Sequence, residues 1–324
     1  MRWSLSLLAL VSATALAASA CSPREVGDGR EADPAERSPF EIRESDDGLE
    51  VRDGGQVVLF YQRELKDHDG QFPRNNYIHP LMSLDGDVLT EDFPEDHLHQ
   101  RGIFWAWHQL WDGAERLGDG WTLEDFTTRV DRVQTHVSAS AARLEAEVQW
   151  LSPRFRDGGP FVEEHTTITV HPVAGDTRAI DFEIALRAVA PGIRIGGSED
   201  PKGYGGFSVR VRMPDGLVFT GEGGPVTPDE LQVEAGPWVD LSAPYGKDGT
   251  KSGVAILVHP ISPGFPPPWI LRQKSSMQNP VFPGREAVDV PADRSLVLRY
   301  RLVVHRGVVS TAEIQEWQKE YAGQ

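Results

Sequence analysis

Four segments of the chain alternate between apolar and polar residues, and this alternation constrains the fold more than any other feature. They are residues 143–150, 180–187, 207–213 and 296–305. Successive side chains of a β-strand point to opposite faces, so a period of two is typical of a strand with one buried face. Strands do not alternate regularly with helical patterns along the chain, which argues against a parallel α/β sheet.

Turn residues and one helical pattern complete the fold prediction. Gly and Asp clusters at 46–48 and 53–55 separate three short β-prone runs, which is typical of a meander. Near the other end, Ser310 and Glu313 have the spacing of a capping box, and apolar residues then recur at helical spacing up to Tyr321. We therefore predict an all-β protein: a large antiparallel β-sandwich with one C-terminal helix packed outside a sheet.

The N-terminus is typical of a secretory signal peptide. Arg2 precedes an apolar run at 5–16, and small residues follow up to the only cysteine, Cys21. The run is too short to span a membrane. Cysteine in this place resembles the lipobox of bacterial lipoproteins, which implies cleavage before Cys21 and lipidation of its thiol. We expect a lipid-anchored protein of the cell envelope, facing the periplasm or the outside; the alternative is a secreted protein with a chance cysteine.

Composition sets the domain organisation and excludes some ligands. The formal net charge of −17 argues against nucleic acid and against an anionic lipid surface as the main ligand. A single cysteine leaves no disulfide within the chain. Residues 21–38 are polar and poor in large apolar side chains, as in a flexible tether. The prediction is a signal peptide at 1–20, a lipidated tether at 21–38 and one β-sandwich domain at 39–324.

The densest group of chemically active residues is the segment 95–108. In an extended chain His97, His99 and Arg101 would point the same way, with alternate residues about 7 Å apart. Such a row can bind a polyhydroxylated ligand or an anion, and a histidine can act as acid or base near neutral pH. Trp105 could form a platform for a sugar ring. The alternative is a polar loop that leads into a core strand with buried tryptophans.

Two further regions carry candidate side chains. Lys202 and Tyr204 lie in a Gly-rich turn, and Arg210 lies on the non-core face of the following strand. The residue order of a phosphate-binding loop is missing there. The third region is spread over strand ends and contains Asp240, His259, Trp269 and Arg272. A Gly-rich hairpin with solvated ends, and a buried histidine at position 259, are the structural alternatives.

Several motifs in order resemble the bacterial PmoA-like family, labelled methane oxygenase PmoA and described as a domain of unknown function. They are Tyr77-Ile-His-Pro, His97-x-His99-x-Arg101-Gly, Lys202-Gly-Tyr204-Gly-Gly-Phe, Trp238-Val-Asp240 and His259-Pro. The resemblance covers about residues 76–305. Members often have His-Pro-His-His-Arg-Gly, so Leu98 and Gln100 depart from the pattern, and His97, His99 and Arg101 are better supported than their neighbours.

The resemblance does not imply methane oxidation here. The methane monooxygenase subunit of that name is a helical protein with several membrane spans, whereas this chain has no long apolar run after its signal. A β-sandwich with a His/Arg row and tryptophans is more similar to the galactose-mutarotase-like supersandwich. Its members bind carbohydrates, and some use a histidine acid and a carboxylate base.

We therefore predict a protein that acts on or binds carbohydrate, by acid–base chemistry of the epimerase, mutarotase or lyase type. His99 would be the acid or base and His97 its partner, Arg101 and Lys202 would stabilise an oxyanion, and Asp240 would be the carboxylate. The predicted substrate-binding residues are Trp105, His108, Tyr204, Arg210, His259, Trp269 and Arg272.

Two alternatives remain open at this point. One is a non-catalytic surface module that binds sugar. The other is a metal-dependent oxygenase or hydrolase using His97, His99 and a third histidine such as His108 or His259. Because the sequence offers no third close ligand beside His97 and His99, we expect no tightly bound metal and no cofactor.

Overall fold

The structure is a computed structural model that describes residues 38–275 and 277–324. The first strands are β1 Phe40–Glu44, β2 Gly48–Asp53, β3 Gln56–Gln62, β4 Lys66–His68, β5 Gln71–Arg74, β6 Tyr77–Leu81, β7 Ile103–Ala106, β8 Gln109–Asp112 and β9 Glu115–Gly118. The middle strands are β10 Thr127–Val137, β11 Ala142–Leu151, β12 Pro160–Val170, β13 Thr177–Ala188 and β14 Ile193–Gly196. The last elements are β15 Gly206–Val209, β16 Val218–Gly221, β17 Gly224–Pro225, β18 Trp238–Ala243, β19 Ser252–Val258, β20 Trp269–Ile270, β21 Asn279–Pro280, β22 Val288–Asp289, β23 Leu296–Arg306 and helix α1 Thr311–Ala322.

Two large antiparallel sheets form the body of the molecule. One has the strand order β10-β11-β12-β13-β23-β19-β18-β16-β17, and the other has the order β1-β2-β3-β6-β7-β15. Strands β1, β2 and β3 are the predicted meander, with Phe40 opposite Asp53 in the first pair. A four-stranded sheet of order β22-β14-β8-β9 and two short ribbons, β20-β21 and β4-β5, complete the topology.

The core lies between the two large sheets. Phe207 of β15 stacks on Tyr300 of β23 with ring centroids 4.4 Å apart, and it contacts Phe182 of β13 at 5.2 Å. These contacts join the six-stranded sheet to the nine-stranded one. In β11 the residues alternate between buried and partly exposed, as the period-two pattern predicts. The predicted fold class, an all-β sandwich of antiparallel strands with one C-terminal helix, is confirmed.

Helix α1 covers part of the outer face of the nine-stranded sheet. The Ser310 side chain accepts a hydrogen bond from the Glu313 backbone, and the Glu313 carboxylate accepts one from the Ser310 backbone, which completes the predicted capping box. Ile314 and Tyr321 pack with Trp238, Leu257 and Val303 of the sheet. Polar residues on that face of β23 are therefore buried by the helix.

The predictions about the N-terminus concern residues 1–38, of which 1–37 lie outside the described part of the chain. The signal peptide, the lipidation of Cys21 and the tether remain predictions, as does the division into one domain after them. Within the described residues, no helix is both long enough and apolar enough to cross a membrane.

Candidate functional site

Half of the predicted site residues meet in one cleft of about 290 Å³. The predicted residues that line it are His97, His99, His108, Lys202, Tyr204 and Arg272. The other lining residues are Gln100, Trp121, Thr122, Ile270, Ser275 and Met277.

A β-hairpin places a carboxylate behind one of these histidines. Strands β8 and β9 pair as an antiparallel hairpin, with Leu110 opposite Gly118. His108 immediately precedes β8 and Asp119 immediately follows β9, so the open end of the hairpin brings them together. Nδ1 of His108 lies 2.9 Å from Oδ2 of Asp119. The pairing follows directly from the register of the hairpin.

Asp119 is held as an ionised carboxylate. Burial alone would raise its pKa, but hydrogen bonds from His108 and from the backbone of Thr122 and Trp121 outweigh burial, and its pKa lies below the ordinary value. The two backbone N–H groups donate to Oδ1 at 2.8 and 2.9 Å. An ionised carboxylate only accepts hydrogen bonds. Nδ1 of His108 is therefore the ring nitrogen that carries the proton and donates it to Asp119.

The other ring nitrogen of His108 lacks a hydrogen-bond partner in the part of the chain that the structure describes. Nε2 is buried, and no hydrogen bond reaches it from any residue the structure describes. The ring stacks on Trp121 at 5.3 Å and meets Tyr204 edge-on at 4.9 Å. Here a carboxylate fixes the tautomer of a histidine, and the second ring nitrogen has no hydrogen bond among the described residues. This is the arrangement of a histidine general base that is oriented by an aspartate.

His99 lines the same cleft as a neutral ring. Trp121 donates from Nε1 to Nε2 of His99 at 3.1 Å, so the ring carries its proton on Nδ1. Burial, with the positive charge of Arg74 and the neighbouring imidazoles His97 and His108, lowers the pKa of His99 to about 4. His99 is therefore uncharged near neutral pH.

The segment that carries His97 and His99 is a pair of turns, which corrects the prediction of an extended row. The His97 backbone N–H donates to the oxygen of Pro94, and Gln100 donates to the oxygen of His97. The rings of His97 and His99 lie 5.7 Å apart, edge to face. Nδ1 of His97 lies 3.0 Å from the carboxylate of Asp96. The turns bring the two rings together without bringing Arg101 beside them.

Arg101 and Arg210 hold these turns from behind and do not line the cleft. Arg101 is fully buried, and its guanidinium lies 3.5 Å from the ring centroid of Phe93. Its N–H groups donate to the carbonyl oxygens of Leu98, Gln100 and Phe72. Arg210, also buried, donates to Glu91, Asp96 and Gln100. The expected roles of Arg101 with an oxyanion and of Arg210 with substrate are corrected to roles in loop structure.

Four more predicted residues lie away from the cleft because the sandwich buries them elsewhere. Trp105 faces the core and donates to Glu164 at 3.0 Å, and Trp269 donates to the Gly236 oxygen. Asp240 is buried in β18, where it pairs with His305 at 2.9 Å and accepts from Ser242. These three are corrections: neither tryptophan is available as a sugar platform here, and Asp240 does not reach the cleft as its carboxylate.

His259, the fourth, lines a different groove of about 300 Å³ beside Tyr321. Its Nδ1 accepts a hydrogen bond from the Ile261 backbone, so the ring carries its proton on Nε2. That Nε2 is also buried without a hydrogen bond among the described residues, but it carries the ring proton, and no carboxylate hydrogen-bonds to the ring to hold it as a base. The cleft with His108 is therefore the stronger candidate, although the two volumes are similar.

Lys202, Tyr204 and Arg272 reach the cleft from loops. The turn between Lys202 and Tyr204 uses Gly203 at φ +59°, where a Cβ would lie 3.0 Å from the Arg285 backbone nitrogen. Burial, with the charges of Asp200 and Asp119, raises the pKa of Tyr204, so its phenol is protonated at neutral pH. The apolar wall beside it comes from Ile270 and Met277.

Sequence reasoning missed Asp119 and Trp121. A signal was present: Asp112-Gly113 is a hairpin turn between two β-prone runs, and it predicts that the residues flanking those runs are neighbours. Within the described residues, no group of three or more His, Cys, Asp or Glu side chains is arranged to hold a metal ion. The expectation that the purified protein contains no metal remains a prediction.

Fold and site together define an all-β sandwich protein with a histidine–carboxylate pair at a cleft. More particularly, the chain belongs to a family of unknown function, DUF6807, which matches residues 48–318. A search of curated proteins gave no match.

Two solved structures show distant similarity. One is a mutant of heparan sulfate lyase HepC from Pedobacter heparinus, with 8% identity, a TM-score of 0.37 and coverage of 84% of this chain and 35% of that one. This chain thus spans about a third of that lyase. The other is a putative mutarotase, YeaD, from Salmonella typhimurium, with 10% identity, a TM-score of 0.36 and coverage of 83% and 94%. At these scores neither likeness bears on the chemistry of the cleft.

Proposed function

We propose that this protein is a cell-envelope lipoprotein that binds a carbohydrate in the cleft and moves a proton on it, with His108 as the acid–base group. One observation carries the proposal. Nδ1 of His108 is tied to an ionised Asp119, whereas its buried Nε2 has no partner among the described residues. A buried unpaired nitrogen costs stability, and such groups concentrate at functional sites.

The pair can both take and return a proton. Nε2 accepts a proton from the substrate, and the imidazolium that forms is stabilised by Asp119 across the 2.9 Å contact. The protonated ring then acts as the acid in the reverse direction. Mutarotation, epimerisation by proton transfer and elimination all need a group that takes a proton from the substrate, and the same group can supply a proton in a later step. Lys202 and Arg272 lie in the same cleft, where they would stabilise negative charge on oxygen.

Access to Nε2 requires a small movement. The atom is shielded from water, and the ring that meets His108 edge-on is Tyr204. Tyr204 is only partly buried and is flanked by Gly203 and Gly205, which allow the backbone more conformations than other residues do. We infer that the sugar displaces Tyr204 and then packs against its ring.

The choice of carbohydrate rests on the cleft and on the expected location. The cleft mixes hydrogen-bonding side chains with the walls of Tyr204, Ile270 and Met277, which suits a polyhydroxylated ring with one apolar face. An envelope protein, as the sequence around Cys21 predicts, meets extracytoplasmic glycans. The sequence motifs that resemble the PmoA-like family, and the expected likeness to mutarotase-like sandwiches, are also part of what we propose. A simple binding module would have no need for the Asp119 pair.

The test compares His108→Gln with the wild-type protein. We expect purified wild-type protein to catalyse anomeric interconversion, solvent deuterium exchange or elimination on at least one sugar of a panel of neutral and acidic envelope saccharides, followed by NMR. His108→Gln should lower turnover about a hundredfold or more, with little change in sugar affinity.

A matched control is available in this chain. His171 lies 2.7 Å from Asp181 but does not line the cleft, so His171→Gln removes a similar pair elsewhere. Its turnover should equal that of wild type. If His108→Gln retains full turnover, the acid–base assignment is wrong. If no sugar reacts but some bind, the protein is a binding module.

A further inference from the structure

The cleft is lined by cations although the protein is strongly negative. The whole chain has a formal net charge of −17, yet the charged residues among the described cleft walls are Lys202 and Arg272, with no aspartate or glutamate. Asp96 and Asp119 are bonded to the cleft histidines but do not line the cleft themselves. A ligand in the cleft therefore faces positive charge.

Neither cation is cancelled by a tight ion pair in the contacts described here. Nζ of Lys202 lies 3.9 Å from Asp200, and both side chains are at least two-fifths exposed, so this pair is weak. Arg272 donates to the carbonyl oxygens of Asp229 and Glu230 at 2.6 and 2.9 Å. Neutral carbonyls fix the guanidinium without cancelling its charge. Gln232 donates to the Lys202 oxygen, so one loop supports both cations.

We propose that the carbohydrate taken by this cleft carries a carboxylate, so that the substrate class is uronic acids or glycans that contain them. The proposal rests on the function proposed above. Lys202 and Arg272 would bind the carboxylate, and His108 would act on the neighbouring carbon.

A carboxylate also makes the chemistry of His108 feasible at carbon. Nε2 takes the proton from the carbon next to the carboxylate, and the electron pair of the broken C–H bond moves onto the carboxylate oxygens. The added negative charge then faces Lys202 and Arg272. If a proton from water adds to the opposite face, the sugar is epimerised, and His108 releases its proton to water. If the oxygen substituent on the next carbon leaves and takes the proton from His108, a carbon–carbon double bond forms. Neither route needs an oxidant or a reductant.

The same argument favours a carboxylate over phosphate or sulfate. A phosphate or sulfate ester gives the adjacent C–H no carbonyl onto which its electrons can move. Two cations with Asp200 close to one of them also match a single negative charge better than the roughly double charge of phosphate.

Binding of matched sugars to the full chain tests the proposal. The probes are methyl β-glucuronide and methyl α-galacturonide, each against its neutral methyl glycoside, with glucose 6-phosphate as the alternative anion. We expect one uronide to bind at least about tenfold more tightly than its neutral counterpart by calorimetry. Lys202→Gln should bind the uronide about tenfold more weakly than wild type, whereas Lys202→Arg should keep most of the wild-type affinity.

A control variant and the possible results distinguish the carboxylate proposal from the proposed acid–base function of His108. Lys247→Gln, at an exposed position outside the cleft, should bind as wild type, and circular dichroism should show every variant folded. Equal affinity for neutral and acidic sugars, an unchanged Lys202→Gln, or a preference for glucose 6-phosphate would each overturn the carboxylate while leaving the proposed function intact. If none of the five sugars binds, the carboxylate proposal fails, and the His108→Gln turnover test decides the proposed function separately.

Discussion

His99 should make the stability of the protein fall at mildly acidic pH. The ring is neutral in the folded state because burial and the nearby Arg74 lower its pKa from 6.5 to about 4. In the unfolded chain the ordinary pKa applies. Between these two values the unfolded state binds a proton that the folded state does not, so the free energy of unfolding decreases as the pH falls.

The size of the effect follows from the two pKa values. A pKa near 4 against 6.5 corresponds to about 3 kcal/mol when the pH falls from above 6.5 to about 4. His99 lines an open cleft, so access of water reduces the expected loss to about 2 kcal/mol. The part of the free energy of unfolding that depends on a neutral His99 is fully present above pH 6.5 and is lost as the pH falls towards 4.

The variant His99→Gln isolates this term. Glutamine does not titrate, and its side-chain oxygen can accept the bond from Nε1 of Trp121 that His99 now accepts. Urea unfolding at several pH values between 7 and 4 should show that wild type loses about 2 kcal/mol more than His99→Gln. His136→Gln, at an exposed position of β10, is the matched control and should follow wild type. Parallel curves for wild type and His99→Gln would refute the buried neutral histidine.

Two further predictions concern the scaffold and the anchor. Arg101→Ala should lower the free energy of unfolding by about 3–5 kcal/mol in urea titrations, because it leaves the carbonyl oxygens of Leu98, Gln100 and Phe72 without their donor and opens a cavity beside Phe93; a surface-like loss below about 0.5 kcal/mol would contradict this. Cys21→Ala should abolish acyl labelling and release the protein from the membrane fraction, whereas Cys21→Ala that still fractionates wholly with membranes would rule out the lipid anchor.

The strands could be predicted because their signal is local. In β11 and β13 the buried residues alternate as the sequence does, and the capping box of α1 needs only two residues three apart. The outer face of β23 was less predictable. Arg301 and His305 lie on its polar side but are buried, because α1 and the neighbouring strand cover them. When a distant element buries polar residues in this way, the sequence of the strand shows no apolar pattern that would predict the burial.

The cleft could be predicted only in part because it is assembled from distant loops. His97 and His99 were found from their density along the chain, but their direction depends on turns held by Arg210, more than a hundred residues away. A two-residue period assumes an extended chain and so placed Arg101 on the wrong side. The contact between His108 and Asp119, in contrast, could have been predicted, because a hairpin with its turn at Asp112-Gly113 joins the two residues within a short segment.

The chain contains other histidine–aspartate pairs, and comparing them explains the emphasis on His108. Nε2 of His305 bonds to Asp240, while its Nδ1 lies 3.4 Å from the Arg306 oxygen. His171 uses Nε2 on Asp181, whose two oxygens also accept from Arg301. In His108 the carboxylate takes Nδ1, and the buried Nε2 has no hydrogen bond within the described residues. His97 also bonds through Nδ1 to Asp96 at this cleft, but its side chain is 38% exposed to water.

Asp119→Asn therefore tests the pair itself. An amide cannot supply the negative charge that stabilises the imidazolium, and it can present its N–H₂ group to Nδ1, which would favour the wrong tautomer of His108. We expect turnover per folded molecule to fall about tenfold to a thousandfold with sugar affinity nearly unchanged. Asp181→Asn changes the pair with His171 in the same way, outside this cleft, and should keep wild-type turnover per folded molecule. Equal losses in both variants would mean that turnover responds to general destabilisation, and the role assigned to Asp119 would be wrong.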